Sequence, residues 1–257
     1  MNKWIYGAAA LVALIVAAFG WPPFSGGPSG NGVLGDGYMS TETGVQRQPN
    51  GVYQVSALTR MPDVKADMVR WWFADYLQTT EHYKRWHPTA HVWMAWENKV
   101  PGAYVGASHL VHEYIGTELV KLRIQFVPPE EILADADLKP GDVAVCARVG
   151  LLETPIYVAR MCHIVRDTAF GAEMRSRFWM GHVARREGND SVTSIEGVFG
   201  NTYLARRLAI SEADAVALMV HAIEEMGTLA DFLPDLHAQE TVLSPAPTPS
   251  VDLQTGN

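Results

Sequence analysis

The feature that most constrains the fold of this chain is a proline-free run over residues 211–232, which follows a long series of strand-like segments. Ser211 and Asp214 stand three residues apart, which is the spacing of a capping box at the start of a helix. Pro234 lies just past the run and predicts its end. We therefore predict that the chain closes with one long helix against which the preceding strands pack.

Segments rich in β-branched and aromatic residues, separated by Gly, Pro and Asn, predict about seven strands before that helix. They cover residues 91–96, 104–115, 119–127, 142–149, 156–165, 173–185 and 191–199. Two helical segments come first, at residues 61–80 and 81–86, the second ending before Pro88. This order is typical of the α+β class, and a curved antiparallel sheet around the last helix leaves a cavity for a small ligand.

The N-terminus predicts a targeting segment, because Lys3 is the only charge in residues 1–21 and the rest of that stretch is largely apolar. It is either a signal peptide or an uncleaved membrane anchor. Both place the domain outside the cytoplasm, periplasmic or membrane-anchored, with this segment as its only contact with the membrane. Residues 22–50, rich in Gly and Pro, predict a flexible linker, residues 51–240 the folded domain, and residues 241–257 a disordered tail.

The composition excludes several classes of function. Lys and Arg number 20 against 28 for Asp and Glu, a net charge of −8 without a basic run, so we expect no nucleic-acid partner. Two cysteines cannot form a four-thiolate metal site, which leaves imidazole and carboxylate as ligands. Cys146 and Cys162 lie symmetrically about a predicted turn; they are either a disulfide pair or two independent buried thiols.

His221 and Glu225 are the first candidate metal ligands. They stand four residues apart on the predicted terminal helix, so one face presents an imidazole and a carboxylate one turn apart. Leu218 and Leu229 lie near them on the helical wheel. Two polar groups on a buried stripe are costly unless they are paired or ligated, although a solvent-facing ion pair is the simpler alternative.

Four further histidines extend the candidate set. His87 and His91 flank a helix-to-strand junction, where rigid elements hold side chains in place. In the next strand, alternation puts His109 and Glu113 on one face, with Glu113 as a candidate oxygen ligand. His163 lies among apolar neighbours in a later strand and by itself reads as a core histidine.

These stretches together resemble the 2,4-diacetylphloroglucinol hydrolase family, whose relatives include phloretin hydrolase. The resemblance is carried by residues 81–88 (EHYKRWHP), residues 113–116 (EYIG), His163 with residues 175–179 (RSRFW), and the pair His221 and Glu225. It implies a START-like helix-grip fold with a small N-terminal helical part. It also implies one bound zinc, a small aromatic ketone as substrate, cleavage of the carbon–carbon bond between an acyl group and a phenolic ring, and a possible homodimer.

Carried over residue by residue, the resemblance implies a zinc site and an active-site histidine. The metal ligands are His87, Glu113, His221 and Glu225, with His91 as the alternative to His87 and Glu118 as the alternative to Glu113. His163 matches the active-site histidine of the family and is assigned as general acid–base. The chemistry, rather than the resemblance, suggests Tyr83 or Tyr157 as a hydroxyl that orients the substrate, and strict alternation puts Tyr157 on the strand face of His163.

Two positions depart from the family pattern, because Phe178 stands where the family has a tyrosine and Ala90 where it has an asparagine. Both changes remove groups that would contact phenolic hydroxyls. They keep two other functions open, namely a non-catalytic carrier of a hydrophobic or aromatic ligand on the same fold and a metal-dependent hydrolase of another bond.

Overall fold

A computed structural model describes residues 33–133 and 138–243 of the chain. The predicted targeting segment 1–21, the first part of the predicted linker and most of the predicted C-terminal tail lie outside the described residues. Among the helices that the structure describes, none combines the length and the apolar character needed to cross a bilayer.

One antiparallel sheet dominates the described chain. Its strands are β1 (Gly44–Arg47), β2 (Tyr53–Pro62), β3 (His91–Glu97), β4 (Ser108–Ile115), β5 (Glu118–Val127), β6 (Val143–Leu151), β7 (Ile156–Thr168), β8 (Gly171–Glu187) and β9 (Asp190–Val192). The hydrogen-bonded order is β1-β2-β8-β7-β6-β5-β4-β3, with β9 paired to β8. Consecutive strands from β3 to β8 are therefore neighbours, as is usual for successive antiparallel strands.

The helices lie at both ends of this strand series. They are α1 (Ala66–Trp71), which continues as a π-helical turn over Trp72–Tyr76, then α2 (Thr80–Trp86), α3 (Ile195–Gly200), α4 (Tyr203–Ala209) and α5 (Glu212–Leu243). The curved sheet packs around α5, so the predicted α+β, START-like helix-grip arrangement is confirmed. Met226, Leu229 and Leu233 on α5 are fully buried in the main core, together with Trp72.

The terminal helix begins where the sequence predicts and ends later. The Oγ of Ser211 accepts from the backbone N–H of Asp214 at 3.1 Å, and the Asp214 carboxylate accepts from the N–H of Ser211 at 2.9 Å, a complete capping box. The predicted end before Pro234 is wrong, because α5 continues through this proline to Leu243. Leu233 and Leu236 are buried on either side of Pro234, and this packing offsets the hydrogen bond that the proline removes.

Two other segments differ from the sequence prediction. The segment 61–80, predicted as one helix, contains three elements. They are the end of β2, which extends to Pro62 and pairs with β8, the helix α1, which starts only at Ala66, and the π-helical turn that follows it. The predicted last strand, 191–199, is the short β9 followed by α3. Ser194 caps α3 by accepting from the N–H of Gly197 at 3.1 Å, so a local cap replaces strand pairing there.

The described part of the predicted linker, from Val33 onward, is packed on the domain, so the prediction of flexibility up to residue 50 is wrong for this part. Val33 is buried and β1 pairs with β2. Glu42 accepts from the guanidinium groups of Arg175 at 2.8 Å and Arg177 at 2.7 Å. Two buried cations therefore need this segment as their counter-charge.

Cys146 and Cys162 are directly opposite in the β6–β7 register and are joined by a disulfide. Of the two alternatives left by the sequence, the structure has the bonded pair. It crosses between central strands and belongs to a second buried cluster with Ile164 and Trp179.

Candidate metal centre

Three buried side chains from three distant segments meet beneath α5. His91 begins β3, Glu113 lies opposite it in β4, and His221 comes from α5. Their nearest ligand atoms all lie within 4.8 Å of one another. Glu225 adds a fourth group, because its Oε2 lies 3.6 Å from Nε2 of His91 and 3.8 Å from Nε2 of His221.

The protonation state of His91 suits a metal ligand. Its Nδ1 lies 2.8 Å from the backbone oxygen of Tyr83, which can only accept, so Nδ1 carries the proton. Nε2 then carries a free lone pair, and this atom is buried without a hydrogen-bond partner. The carboxylate oxygens of Glu113 and Glu225 approach it to 3.9 and 3.6 Å, too far for hydrogen bonds.

These separations fit a divalent cation better than they fit direct pairing. Two atoms that each lie about 2.1 Å from a tetrahedral zinc ion are about 3.4 Å apart. Two imidazoles and two carboxylates form a nitrogen and oxygen donor set that zinc accepts. In the described chain no Lys or Arg forms an ion pair with Glu113 or Glu225, so these two buried carboxylates have no fixed cation.

The environment of the two carboxylates differs. Burial raises the pKa of Glu225 to about 8, against a smaller opposing effect of His221. Glu113 accepts a hydrogen bond from the hydroxyl of Tyr83. Burial, followed by the Glu113 charge, raises the pKa of Tyr83 well above its usual value. Tyr83 is thus a neutral donor that orients Glu113, and its ring stacks on His91 at a centroid distance of 3.7 Å.

His87 lies beside the centre and not within the closest group. Its ring centroid is 5.0 Å from that of His221, but its Nε2 lies 3.4 Å from a carboxylate oxygen of Glu224, which is exposed. The structure therefore favours His91, the alternative at this position, over the predicted His87. Glu113 is buried among these groups, whereas its alternative Glu118 is exposed at the β4–β5 turn.

A cavity of about 510 Å³ extends from these groups between the sheet and α5. Its wall is mainly apolar, and its charged or titratable lining residues include Glu113, His221 and Glu225 together with His109, His163, Arg206 and Asp214. Trp86 and Phe73 contribute flat aromatic surface. This volume and this lining suit an aromatic molecule of moderate size.

His163, on β7, lines the same cavity. Its Nδ1 lies 2.8 Å from Oγ of Ser176, and the ring meets Phe178 edge-on at 5.6 Å. Burial lowers the pKa of His163 to about 3, so the resting form at neutral pH is the uncharged imidazole. His163 therefore lies where it can contact a ligand in the cavity. As a neutral imidazole it can form a hydrogen bond, but it must first take up a proton before it can act as an acid.

Tyr157 does not reach the main cavity, which corrects its proposed role at the substrate. A β-bulge shifts the register of β7 between Tyr157 and Ala159, so Val158 is an extra residue there. Val158 and Ala159 line the main cavity, whereas the Tyr157 hydroxyl donates to the side chain of Gln125 on another face. Strict alternation from His163 gave the wrong face because it did not include the bulge.

His109 is a buried cavity residue to which the sequence gave only a supporting role. It stacks on Trp96 at 4.7 Å and meets Tyr83 edge-on at 5.2 Å. Burial lowers its pKa to about 3. Ala90, the second departure from the family pattern, is buried next to His91 and contributes backbone groups only: its N–H donates to the carbonyl of His87, and its carbonyl accepts from the N–H of Tyr114.

Comparisons with known proteins show the family to which the chain is related. The family model described as the DAPG hydrolase PhiG domain, DAPG being 2,4-diacetylphloroglucinol, matches residues 29–238. The chain is 29% identical over 231 residues to a 2,4-diacetylphloroglucinol hydrolase of Pseudomonas sp., covering 81% of this chain and 75% of that protein. It is 27% identical over 207 residues to phloretin hydrolase of Eubacterium ramulus, covering 74% and 69%.

Solved structures are more distant. A protein of unknown function, SA2116 from Staphylococcus aureus, has 11% identity and a TM-score of 0.41, covering 73% of this chain and 96% of its own. The major latex-like protein 151 of Panax ginseng has 12% identity and a TM-score of 0.36, covering 66% and 97%. The match to the family model, which spans most of the chain, establishes the family. The chain belongs to the DAPG hydrolase PhiG-domain family.

Proposed function

We propose that this chain is a zinc-dependent hydrolase that cleaves the carbon–carbon bond between an acyl group and a phenolic ring. The observation that carries the proposal is the unpaired, buried Nε2 of His91, which faces Glu113, His221 and Glu225 at the end of an apolar cavity. The names of the relatives, 2,4-diacetylphloroglucinol hydrolase and phloretin hydrolase, support the same class of substrate.

A zinc ion held by His91, Glu113, His221 and Glu225 would supply a Lewis acid for the ketone carbonyl and would lower the pKa of water. The residues around the site have separate tasks. Tyr83 holds Glu113 through its hydroxyl, and the Tyr83 backbone oxygen fixes the His91 tautomer. The apolar wall excludes bulk water, which strengthens the electrostatic interactions inside the cavity.

Hydrolysis at this bond leaves the electron pair on a ring carbon, which then needs a proton. His163 is the titratable group on the sheet wall of the cavity that we assign to this step. It is neutral in the resting protein, so its first task is a hydrogen bond to a substrate oxygen. A phenolate bound against the ring would favour the imidazolium form and make proton transfer possible.

In this proposal the substrate is an aromatic ketone, and the cavity offers fewer polar contacts to its hydroxyl groups than a phloroglucinol compound would use. Phe178 supplies an apolar edge next to His163, and Ala90 offers no side-chain polar group. The same observation favours a second candidate, a carrier that binds an aromatic ligand and releases it unchanged.

The test is turnover of monoacetyl- and diacetylphloroglucinol by purified full-length protein, with the products identified by mass spectrometry. We expect acetate and the deacylated phenol from the zinc-loaded protein, loss of turnover after chelation, and its return with added zinc. His221→Ala is the matched negative control. Tight binding with unchanged ligand in the zinc-loaded protein would establish the carrier instead, and cleavage of aryl esters alone would establish a hydrolase of another bond.

We also propose that the domain functions outside the cytoplasm. The support is the Cys146–Cys162 disulfide between central strands, since such bonds persist in oxidising compartments. Mass spectrometry after alkylation of protein from fractionated cells tests this proposal. We expect both cysteines to be protected in the exported fraction, and free thiols in a cytoplasmic fraction would contradict it.

A further inference from the structure

A second, smaller cavity of about 120 Å³ adjoins the substrate cavity, and Ala159, Val183 and Arg206 line both. We call it the arginine cavity. Its polar lining residues are Arg148, Arg160, His182, Ser191, Asn201 and Arg206, together with the Tyr157 ring. No Asp or Glu of the described chain lines it.

The sheet register brings the cationic residues of the arginine cavity together. Arg148 on β6 is directly opposite Arg160 on β7. The register shift next to Arg160 leaves residues 181–183 of β8 opposite Val158 alone. His182 follows Gly181, whose φ of +99° bends β8 at the same level. Arg206 reaches the cavity from α4.

Charge compensation in this cavity is incomplete. Arg148 forms an ion pair with Glu131. Arg206 is buried, and its three hydrogen bonds go to uncharged oxygens, those of Gly181 at 2.8 Å, Asn50 at 3.0 Å and Asn201 at 3.0 Å. Within residues 33–133 and 138–243, the half-buried guanidinium of Arg160 forms no hydrogen bond or direct ion pair, and the carboxylate that acts on its charge, Glu131, is the one already paired with Arg148. Two guanidinium charges therefore share the cavity without a paired carboxylate.

Burial and like charge together disfavour the protonated forms of the basic groups in this cavity. Burial lowers the pKa of Arg206 to about 10. Burial, and then the charges of Arg160 and Arg206, lower the pKa of His182 to about 3. Arginine keeps its proton under these conditions, so the repulsion persists at neutral pH unless an anion enters.

We propose that the arginine cavity is a binding site for a small oxyanion, either a free phosphate or sulfate or the carboxylate of an organic molecule. The volume suits one such group and is too small for an acylphenol. Planar guanidinium groups bind these oxygens through paired N–H donors, and Ser191 adds a hydroxyl. Asn201 lines the cavity but its amide is already bonded to Val183, Gly197 and Arg206. Because Arg206 also lines the substrate cavity, an organic acid bound there would lie beside the substrate.

Calorimetric titration of full-length protein with inorganic phosphate, at constant ionic strength in chloride buffer, tests the proposal. We expect about one phosphate per chain for the wild type and at least tenfold weaker binding for Arg160→Gln. Arg207→Gln is the matched control, because Arg207 is the neighbouring exposed arginine on α4 and does not line the cavity. This control should bind phosphate like the wild type.

Thermal melting supplies a second readout that does not depend on catalysis. In chloride buffer Arg160→Gln should melt close to the wild type, because the lost attraction of Glu131 and the removed repulsion of Arg148 oppose each other. Phosphate should raise the melting temperature of the wild type and of Arg207→Gln more than that of Arg160→Gln. Absence of binding by phosphate, sulfate and propanoate, or equal affinity in Arg160→Gln, would overturn the proposal.

The two sources of the oxyanion are separated by competition. Tighter binding of propanoate than of phosphate, with mutual displacement, would assign the site to an organic carboxylate. The reverse order would assign it to a free tetrahedral anion. Both results depend on the arginine cavity alone, so they stand whether or not the chain cleaves acylphenols.

Discussion

Replacing His163 with Gln should change how the stability of the protein depends on pH. His163 is 2% exposed, and burial lowers its pKa from 6.5 to about 3. The unfolded chain therefore takes up a proton near pH 6.5, while the folded chain does so only near pH 3. The stability contributed by the neutral ring is complete above pH 6.5 and is lost as the pH falls from 6.5 toward 3.

The size of this effect follows from the shift. Each pH unit below 6.5 removes about 1.4 kcal/mol of unfolding free energy from the wild type, hence about 2 kcal/mol at pH 5. Gln does not titrate in this range, so the variant lacks this loss. The substitution itself removes the ring and its hydrogen bond to Ser176, which costs about 2 kcal/mol at pH 8. The two stability curves should meet near about pH 5.

Urea unfolding from pH 8 to pH 4.5, followed by tryptophan fluorescence, measures both curves. Taking the difference between variant and wild type cancels the other titrating groups. His112→Gln is the control, because His112 lies on the opposite, partly exposed face of β4. The difference in unfolding free energy between this variant and the wild type should not shrink as the pH falls. Parallel curves for wild type and His163→Gln would refute the claim that a neutral, buried imidazole faces the cavity.

Three further predictions concern single contacts. Tyr83→Phe removes the hydroxyl that holds Glu113 and should weaken zinc binding about 10- to 100-fold in competition with a chromophoric chelator; unchanged affinity would contradict this role. Tyr157→Phe should leave kcat/KM within about twofold, because this residue does not line the main cavity; a loss of a hundredfold would restore it to the active site. Glu42→Gln should destabilise the fold by about 3 kcal/mol or more in urea unfolding, because Arg175 and Arg177 lose their carboxylate; a neutral effect would mean that residues 33–47 do not anchor the domain.

The order of strands and the terminal helix could be predicted from the sequence because their signals are local. The capping box at Ser211 and the alternation of β4 depend on neighbouring residues only. His109 and Glu113 are buried and His112 lies on the other face, as alternation predicts. The pair His221 and Glu225 is likewise confirmed on a buried face of α5, since an i, i+4 spacing fixes it.

The choice between His87 and His91 could not be made from the sequence, because a bulge decides it. Strict alternation would put His91 on the same face as Trp93, which is partly exposed. The register of β3 shifts between His91 and Trp93, and this turns His91 inward opposite Glu113. The eight-residue spacing from Tyr83 to His91, which lets the Tyr83 carbonyl brace the imidazole, is the signal that could have favoured it.

The anchored segment before β1 was missed for a different reason. The predicted linker as a whole, residues 22–50, has the Gly and Pro content that is typical of linkers. In its described part, however, backbone oxygens and Glu42 serve as acceptors for arginines far along the chain. Arg175 donates to the carbonyl of Val33 at 3.1 Å, and Arg166 donates to that of Gly35 at 2.8 Å. Composition describes the segment itself, whereas its order depends on partners that only the fold brings near.

The most direct test of the central claim is the zinc content of purified wild-type, His91→Ala and His87→Ala proteins after dialysis against a weak chelator. The account predicts about one zinc per chain in the wild type and in His87→Ala, and essentially none in His91→Ala. A wild type without zinc, or a His91→Ala protein that keeps zinc while His87→Ala loses it, would contradict the site described above.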